Sequence, residues 1–294
     1  MILQKVPGSL SLVSIKHYLK KSAPLLAVTP LLVASVGQSF AADTVRVFTK
    51  YGISIAGIPI GNARVNTVFN GKNFKISANG RTAGVSRLVS DGRGTLRAEG
   101  VVGKNRAFPS NFSMDTVDDK LITKVRMSMS KGNIKRLVAA PPLLKRADRI
   151  PVLKKHHRSI LDPLSAFMVP LDRDGKIEPA KACNRTIPVF DGWQRFDIRL
   201  SFSTTKNANL GGRDGYNGPV VVCKARYVPI AGHRPTRKAT VYLANNQNME
   251  LWLAPIKGIP TLVPVHLSIG TKIGTLALSA NIFQVAGTDT ASSQ

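Results

Sequence analysis

The chain has 294 residues, 43% of them hydrophobic and 6% aromatic, with 42 Lys+Arg against 16 Asp+Glu and a formal net charge of +26. That apolar content supplies a packed core and excludes a disordered chain. Two cysteines exclude a disulfide-dense scaffold, and the charge excludes a surface that gathers cations.

Lys5, Lys16, Lys20 and Lys21 form a basic leader with no acid, Ser22 to Val36 is mostly apolar, and Ser39-Phe40-Ala41 precedes Ala42-Asp43. This is the order of a secretory signal, with small residues at the −3 and −1 positions. The apolar run is shorter than the roughly 20 residues of a membrane span. Residues 1–41 are expected to be a signal peptide cleaved between Ala41 and Ala42. The expected address is the periplasm of a Gram-negative-type bacterium. Without the four leader lysines, 38 Lys+Arg face 16 Asp+Glu, so the body carries +22. In that compartment Cys183 and Cys223 are expected to form a disulfide.

From residue 42 the hydrophobic period is two. Val45 and Val47 alternate with polar residues. Ala63, Val65, Thr67 and Phe69 do so again, Asn70-Gly71 supplies a hairpin turn, and Phe74, Ile76 and Ala78 resume the alternation. Residues 62–79 therefore predict one β-hairpin. Further strands are expected at 94–102, 107–116 and 121–129, with Asp118-Asp119 as a turn. A short helix is expected from Val85 to Ser90. The stretch 141–159, with Pro141, Pro142 and Pro151, reads as a long basic connection. Asp162-Pro163 predicts a helix start, with Leu164, Phe167 and Met168 on one face and an end before Pro170. Strand alternation returns at Phe196–Phe202, Val220–Tyr227, Ala239–Leu243, Glu250–Leu253, Val263–Ser268 and Thr275–Phe283. The Asn/Gly-rich Lys206–Gly218 reads as a loop, and 287–294 as a disordered tail. The pattern predicts a single all-β, mainly antiparallel domain over 42–286. Its expected form is a wide twisted sheet or an open or half barrel, with one or two short helices.

Few residues of the chain fall in patterns that carry chemistry. His156, His157, His233 and His266 follow no metal-ligating spacing, and no metal or cofactor is expected. Asp162, Asp172, Asp174, Asp191 and Asp197 each have a structural reading as a cap, a turn residue or a strand residue, so no catalytic pair is assigned. The densest charge lies in Lys145, Arg146, Arg149, Lys154, Lys155 and Arg158, which are the candidate contacts for a polyanion.

Several ordered blocks resemble the DUF3108 family of exported bacterial proteins. Tyr51-Gly52-Ile53 with Ala56-Gly57-Ile58-Pro59-Ile60-Gly61-Asn62-Ala63 is similar to its opening. Thr82-Ala83-Gly84 is similar to its small-residue turn, and Asp162-Pro163-Leu164-Ser165-Ala166 to its central helix start. Pro188-Val189-Phe190-Asp191-Gly192 with Arg195-Phe196-Asp197-Ile198 is similar to its strand–turn–strand. Cys223 with Tyr227, and Met249 to Leu253 followed by Pro264-Val265, are similar to later strands. The resemblance implies an exported β-rich fold and brings no catalytic residues.

The leading expectation is a non-enzymatic periplasmic envelope protein. It would hold a lipid, a lipid-linked glycan or an envelope partner in an apolar groove lined by Phe167, Met168, Trp252 and Leu253. Anionic lipid, lipopolysaccharide or a cell-wall polymer are the partners that fit the charge, with peripheral membrane contact and no nucleic acid. The alternative is a scaffold that contacts anionic envelope polymers. An envelope-polymer hydrolase would need convergent polar residues that the sequence does not display.

Overall fold

Alternation of apolar and polar side chains persists through most of the body, and it builds one sheet. The computed structural model describes residues 44–83, 92–119, 121–172 and 175–287. The expected signal segment with its Ala41/Ala42 cleavage site, the helix expected at 85–90 and the tail after Gly287 lie outside the described residues. The first run of strands is β1 (Thr44–Ile55), β2 (Ile58–Asn70), β3 (Asn73–Thr82), β4 (Arg93–Val102), β5 (Ala107–Asp118), β6 (Leu121–Ser130) and β7 (Asn133–Ala140). After the long connection come β8 (Val169–Pro170), helix α1 (Pro179–Cys183), β9 (Arg185–Phe190), β10 (Arg195–Asn209) and β11 (Asn217–Ala231). Helix α2 (Lys238–Asn245), β12 (Met249–Ile256), β13 (Ile259–Thr271) and β14 (Gly274–Gly287) complete the order.

These strands form a 14-stranded antiparallel sheet in the order β7-β6-β5-β4-β3-β2-β1-β14-β13-β12-β11-β10-β9, with β8 paired to β13. Every neighbour along that path is a neighbour in sequence except β1 and β14. Tight turns with positive φ link the hairpins: Ala56 at 47° and Gly57 at 80°, then Lys131 at 50° and Gly132 at 77°. Two successive left-handed residues match the twist of the flanking strands.

The sheet does not close into a barrel. Between β7 and β9 a connection segment takes the place of strand pairing. Ile160 N–H donates to Gly132 O at 2.9 Å, Leu161 N–H to Pro188 O at 2.8 Å, and Phe190 N–H to Leu161 O at 2.9 Å. Arg106 Nη2 donates to Ile160 O at 3.0 Å, and Trp193 Nε1 to Pro141 O at 2.8 Å. One core spans both halves: Phe69, Phe74 and Val125 of the first run join Ile160, Phe190 and Leu253, all essentially inaccessible to solvent. A smaller cluster forms where Ala208, Tyr216, Val220 and Val222 at the end of the β10–β11 hairpin pack on Ala254, Val265 and Ala280.

Three expectations are corrected. Ala239–Leu243 lies in α2, not in a strand, because β11 pairs directly with β12 and leaves no edge for it. The Asn/Gly-rich 206–218 is a loop only over 210–216, which hold a 3-10 turn; at its ends Lys206 pairs with Val220 and Asn209 with Asn217. The helix expected after Asp162-Pro163 is only a 3-10 turn at Ser165–Phe167, because Met168 is extended and Val169 already pairs with Leu262. The long basic connection at 141–159 holds a 3-10 turn, at Lys154–His157.

Cys183 and Cys223 form a disulfide across 40 residues of sequence, joining the end of α1 to β11 in the core. Cross-linking removes loop entropy from the unfolded chain. Replacing both by Ala is expected to lower the unfolding free energy by roughly 3–4 kcal/mol, read as a fall in Tm by calorimetry. A change below about 1 kcal/mol would show that the unfolded chain is already confined.

Candidate polyanion-binding face

The basic connection is used partly for structure. Arg149 donates to Gly232 O at 2.5 Å and to Leu144 O at 3.0 Å, while Ile150 N–H donates to His233 O and Gly232 N–H to Ile150 O. Arg149 therefore fastens the connection to the end of β11. Lys145, Arg146, Lys154, Lys155 and Arg158 are exposed.

The four residues expected to line an apolar groove do not meet. Phe167 and Met168 border a cavity of about 180 Å³ against Val47, Val65, Ile76 and Leu267 on the inner sheet face. Leu253 is fully buried in the core and does not border it. Trp252 alternates with Leu251 and Leu253 and so lies on the opposite face, half-buried. There Lys206 Nζ sits 3.4 Å from its ring centroid, and Trp252 Nε1 donates to Glu250 Oε2 at 3.2 Å. Beside it His266 Nδ1 and Ser279 Oγ are 2.8 Å apart. Burial and Lys206 lower the basicity of His266, and Glu250 partly opposes them. Glu250 makes no hydrogen bond to His266 among the described residues; its Oε2 accepts from Trp252 instead.

Asp162 holds the turn under this cavity. Its Oδ1 accepts N–H groups of Leu164 and Ser165, both at 2.9 Å. Asp191 does the same for Trp193 and Gln194 at the β9–β10 turn. Both carboxyls thus serve the backbone, as the sequence suggested.

Ten Lys and Arg side chains share the outer face of β1–β7 with two acids. Residues directly opposite on neighbouring strands share a face. One row runs Arg46–Val68–Lys75–Glu99–Asn111–Ser128–Arg136. The next runs Phe48–Asn66–Ser77–Arg97–Ser113–Arg126. The third runs Lys50–Arg64–Asn79–Thr95–Asp115–Lys124, and a fourth runs Gly52–Asn62–Arg81–Arg93. This last row continues the other way through Ser279 and His266 to Trp252. The face's two acids are both engaged: Arg126 holds Asp115 with two bonds of 2.8 Å, and Glu99 takes Asn111 Nδ2 at 2.9 Å and Lys75 at 4.0 Å. Arg46, Lys50, Arg64, Arg81, Arg93, Arg97, Lys124 and Arg136 form no ion pair among the described residues. Twist hollows this face into a trough of about 740 Å³ around Arg97, Arg126 and Arg136 and another of about 420 Å³ around Arg64, Arg81 and Arg93. Such a field attracts polyanions and repels cations.

A sequence model of DUF3108, a protein family of unknown function, matches residues 50–280. The chain belongs to the DUF3108 family. No curated protein matches it. Among solved structures it is similar to the beta-barrel-like protein of domain of unknown function DUF1849 from Brucella abortus, at 8% identity and a TM-score of 0.47. That match covers 84% of this chain and 98% of the other.

Burial raises the Asp162 carboxyl to about 6. Its unfolded value is about 3.9, so protonation favours the folded state. That stabilisation is complete below about pH 4 and is lost as the pH rises through 6. Asp162→Asn retains an acceptor for the turn and removes the titration. Relative to wild type, the variant should gain on the order of 3 kcal/mol between pH 4 and pH 7 in denaturant unfolding. A difference that does not change with pH would show that the carboxyl is not raised.

Proposed function

We propose that this DUF3108 protein is an exported, non-enzymatic envelope protein that binds an anionic component of the envelope on the outer face of β1–β7. The observation that carries the reading is the excess of unpaired cations on a rigid, troughed sheet face. The secretory leader read from the sequence supports an envelope setting, where lipopolysaccharide, anionic lipid and cell-wall polymers supply the matching charge. Size argues against an internal lipid site as the main activity. The inner cavity of about 180 Å³ compares with about 150 Å³ for a dry apolar cavity that admits benzene, and it lies below the roughly 300 Å³ of ordinary ligand pockets.

Binding to lipopolysaccharide should weaken steeply with salt, because exposed charges are screened over about 8 Å at physiological ionic strength. Replacing Arg64, Arg97, Lys124 and Arg136 by Gln should lower affinity by about tenfold or more, measured by equilibrium binding at two salt concentrations. Equal binding to an uncharged glycan, or affinity indifferent to salt, would contradict the reading.

A further inference from the structure

Within the basic face, two cross-strand pairs are of like charge. Lys50 stands directly opposite Arg64, and Arg81 directly opposite Arg93. Opposed residues on one face of an antiparallel pair have Cβ atoms about 4.5–5.5 Å apart, and like charges there destabilise the sheet. Neither arginine of the Arg81–Arg93 pair has an acidic partner among the described residues. Asp115 borders the same trough and is committed to a bidentate pair with Arg126. The pair lies in the trough of about 420 Å³ that Arg64 and Lys124 also border. The walls are mixed: Asn62 and Asn79 border the same trough with Val117 and Ile122, and Thr95 Oγ1 donates to Asn79 Oδ1 at 2.9 Å.

We propose that this trough is a site for a phosphorylated saccharide, with the phosphate monoester held between Arg81 and Arg93. The proposal rests on the polyanion reading above and gives it a location and a ligand chemistry. A dianion between two facing guanidinium forks converts their repulsion into charge-assisted hydrogen bonds, and the planar fork fits phosphate oxygens in pairs. Arg64 and Lys124 add charge at the flanks. The amides of Asn62 and Asn79 and the hydroxyl of Thr95 offer the mixed donors and acceptors that sugar hydroxyls require. The concave shape suits a saccharide that enters the trough, whereas a flat bilayer surface would span its rim.

The test uses a soluble glucosamine disaccharide bearing two phosphate monoesters and no acyl chains, titrated calorimetrically against the full-length protein. Three controls accompany it: the dephosphorylated disaccharide, inorganic phosphate and whole lipopolysaccharide. Arg81→Gln with Arg93→Gln should weaken disaccharide binding at least about tenfold. The same double variant should keep or raise Tm, because a repulsion is removed. Lys154→Gln with Lys155→Gln, on the exposed connection away from this face, should leave disaccharide binding within about twofold. Equal losses in the two double variants would overturn the site and show that net charge alone governs binding. Undiminished binding by the dephosphorylated sugar, or equally tight binding of inorganic phosphate alone, would overturn the phosphorylated-saccharide assignment. Binding of lipopolysaccharide without binding of the disaccharide would sink this inference alone, and binding of neither would sink both.

Discussion

The pairing of β1 with β14 is the constraint on which the rest depends. It runs from Val45 opposite Gly287 to Ile55 opposite Leu276, with one bulge at Lys50/Tyr51. Because all other neighbours on the path are consecutive in the chain, this one long-range ladder joins two meanders into a single sheet. It also fixes the place of the opening, between β7 and β9. The connection from 141 onward then has a defined task. Its Ile160-Leu161 backbone satisfies groups on both sides of the seam, at Gly132 and at Pro188 and Phe190. Without those bonds the seam would expose unpaired strand edge, a template for association between chains.

The same register separates the two kinds of surface. Along β2 and β3, Val65, Thr67, Phe69, Phe74 and Ile76 turn inward, while Arg64, Asn66, Lys75 and Ser77 turn outward. A sheet face is more rigid than a loop, so cations on it keep their mutual positions. Opposed like charges such as Arg81 and Arg93 cost stability in every unliganded molecule. An anion relieves that cost on binding, which links the local electrostatics to a binding role.

The hairpin at 62–79 was fully legible, since alternation and an Asn-Gly turn both specify it. Strand β7 was not, because its turn is Lys131-Gly132 and a bulge at Ser128/Met129 breaks the alternation. The strand reading of Ala239–Leu243 was misled by Val241, Tyr242 and Leu243, whose propensity gives way when no sheet edge is free. The net charge was visible in the composition, but its location was not. The contiguous Lys154-Lys155-His156-His157-Arg158 is conspicuous in sequence, whereas Arg64, Arg81, Arg93 and Arg97 occur singly and become one face only through the strand register. Likewise Trp252 and Leu253 are adjacent in sequence and therefore on opposite faces, so no groove could contain both.

The binding role depends on where a bound polyanion touches the protein. Lysine acylation with and without lipopolysaccharide, read by mass spectrometry, tests this most directly, because lysines lie on both candidate surfaces. Protection of Lys50, Lys75 and Lys124 with unchanged labelling of Lys145, Lys154 and Lys155 is the predicted result. Protection confined to Lys145, Lys154 and Lys155 would contradict the account and return the contact to the connection.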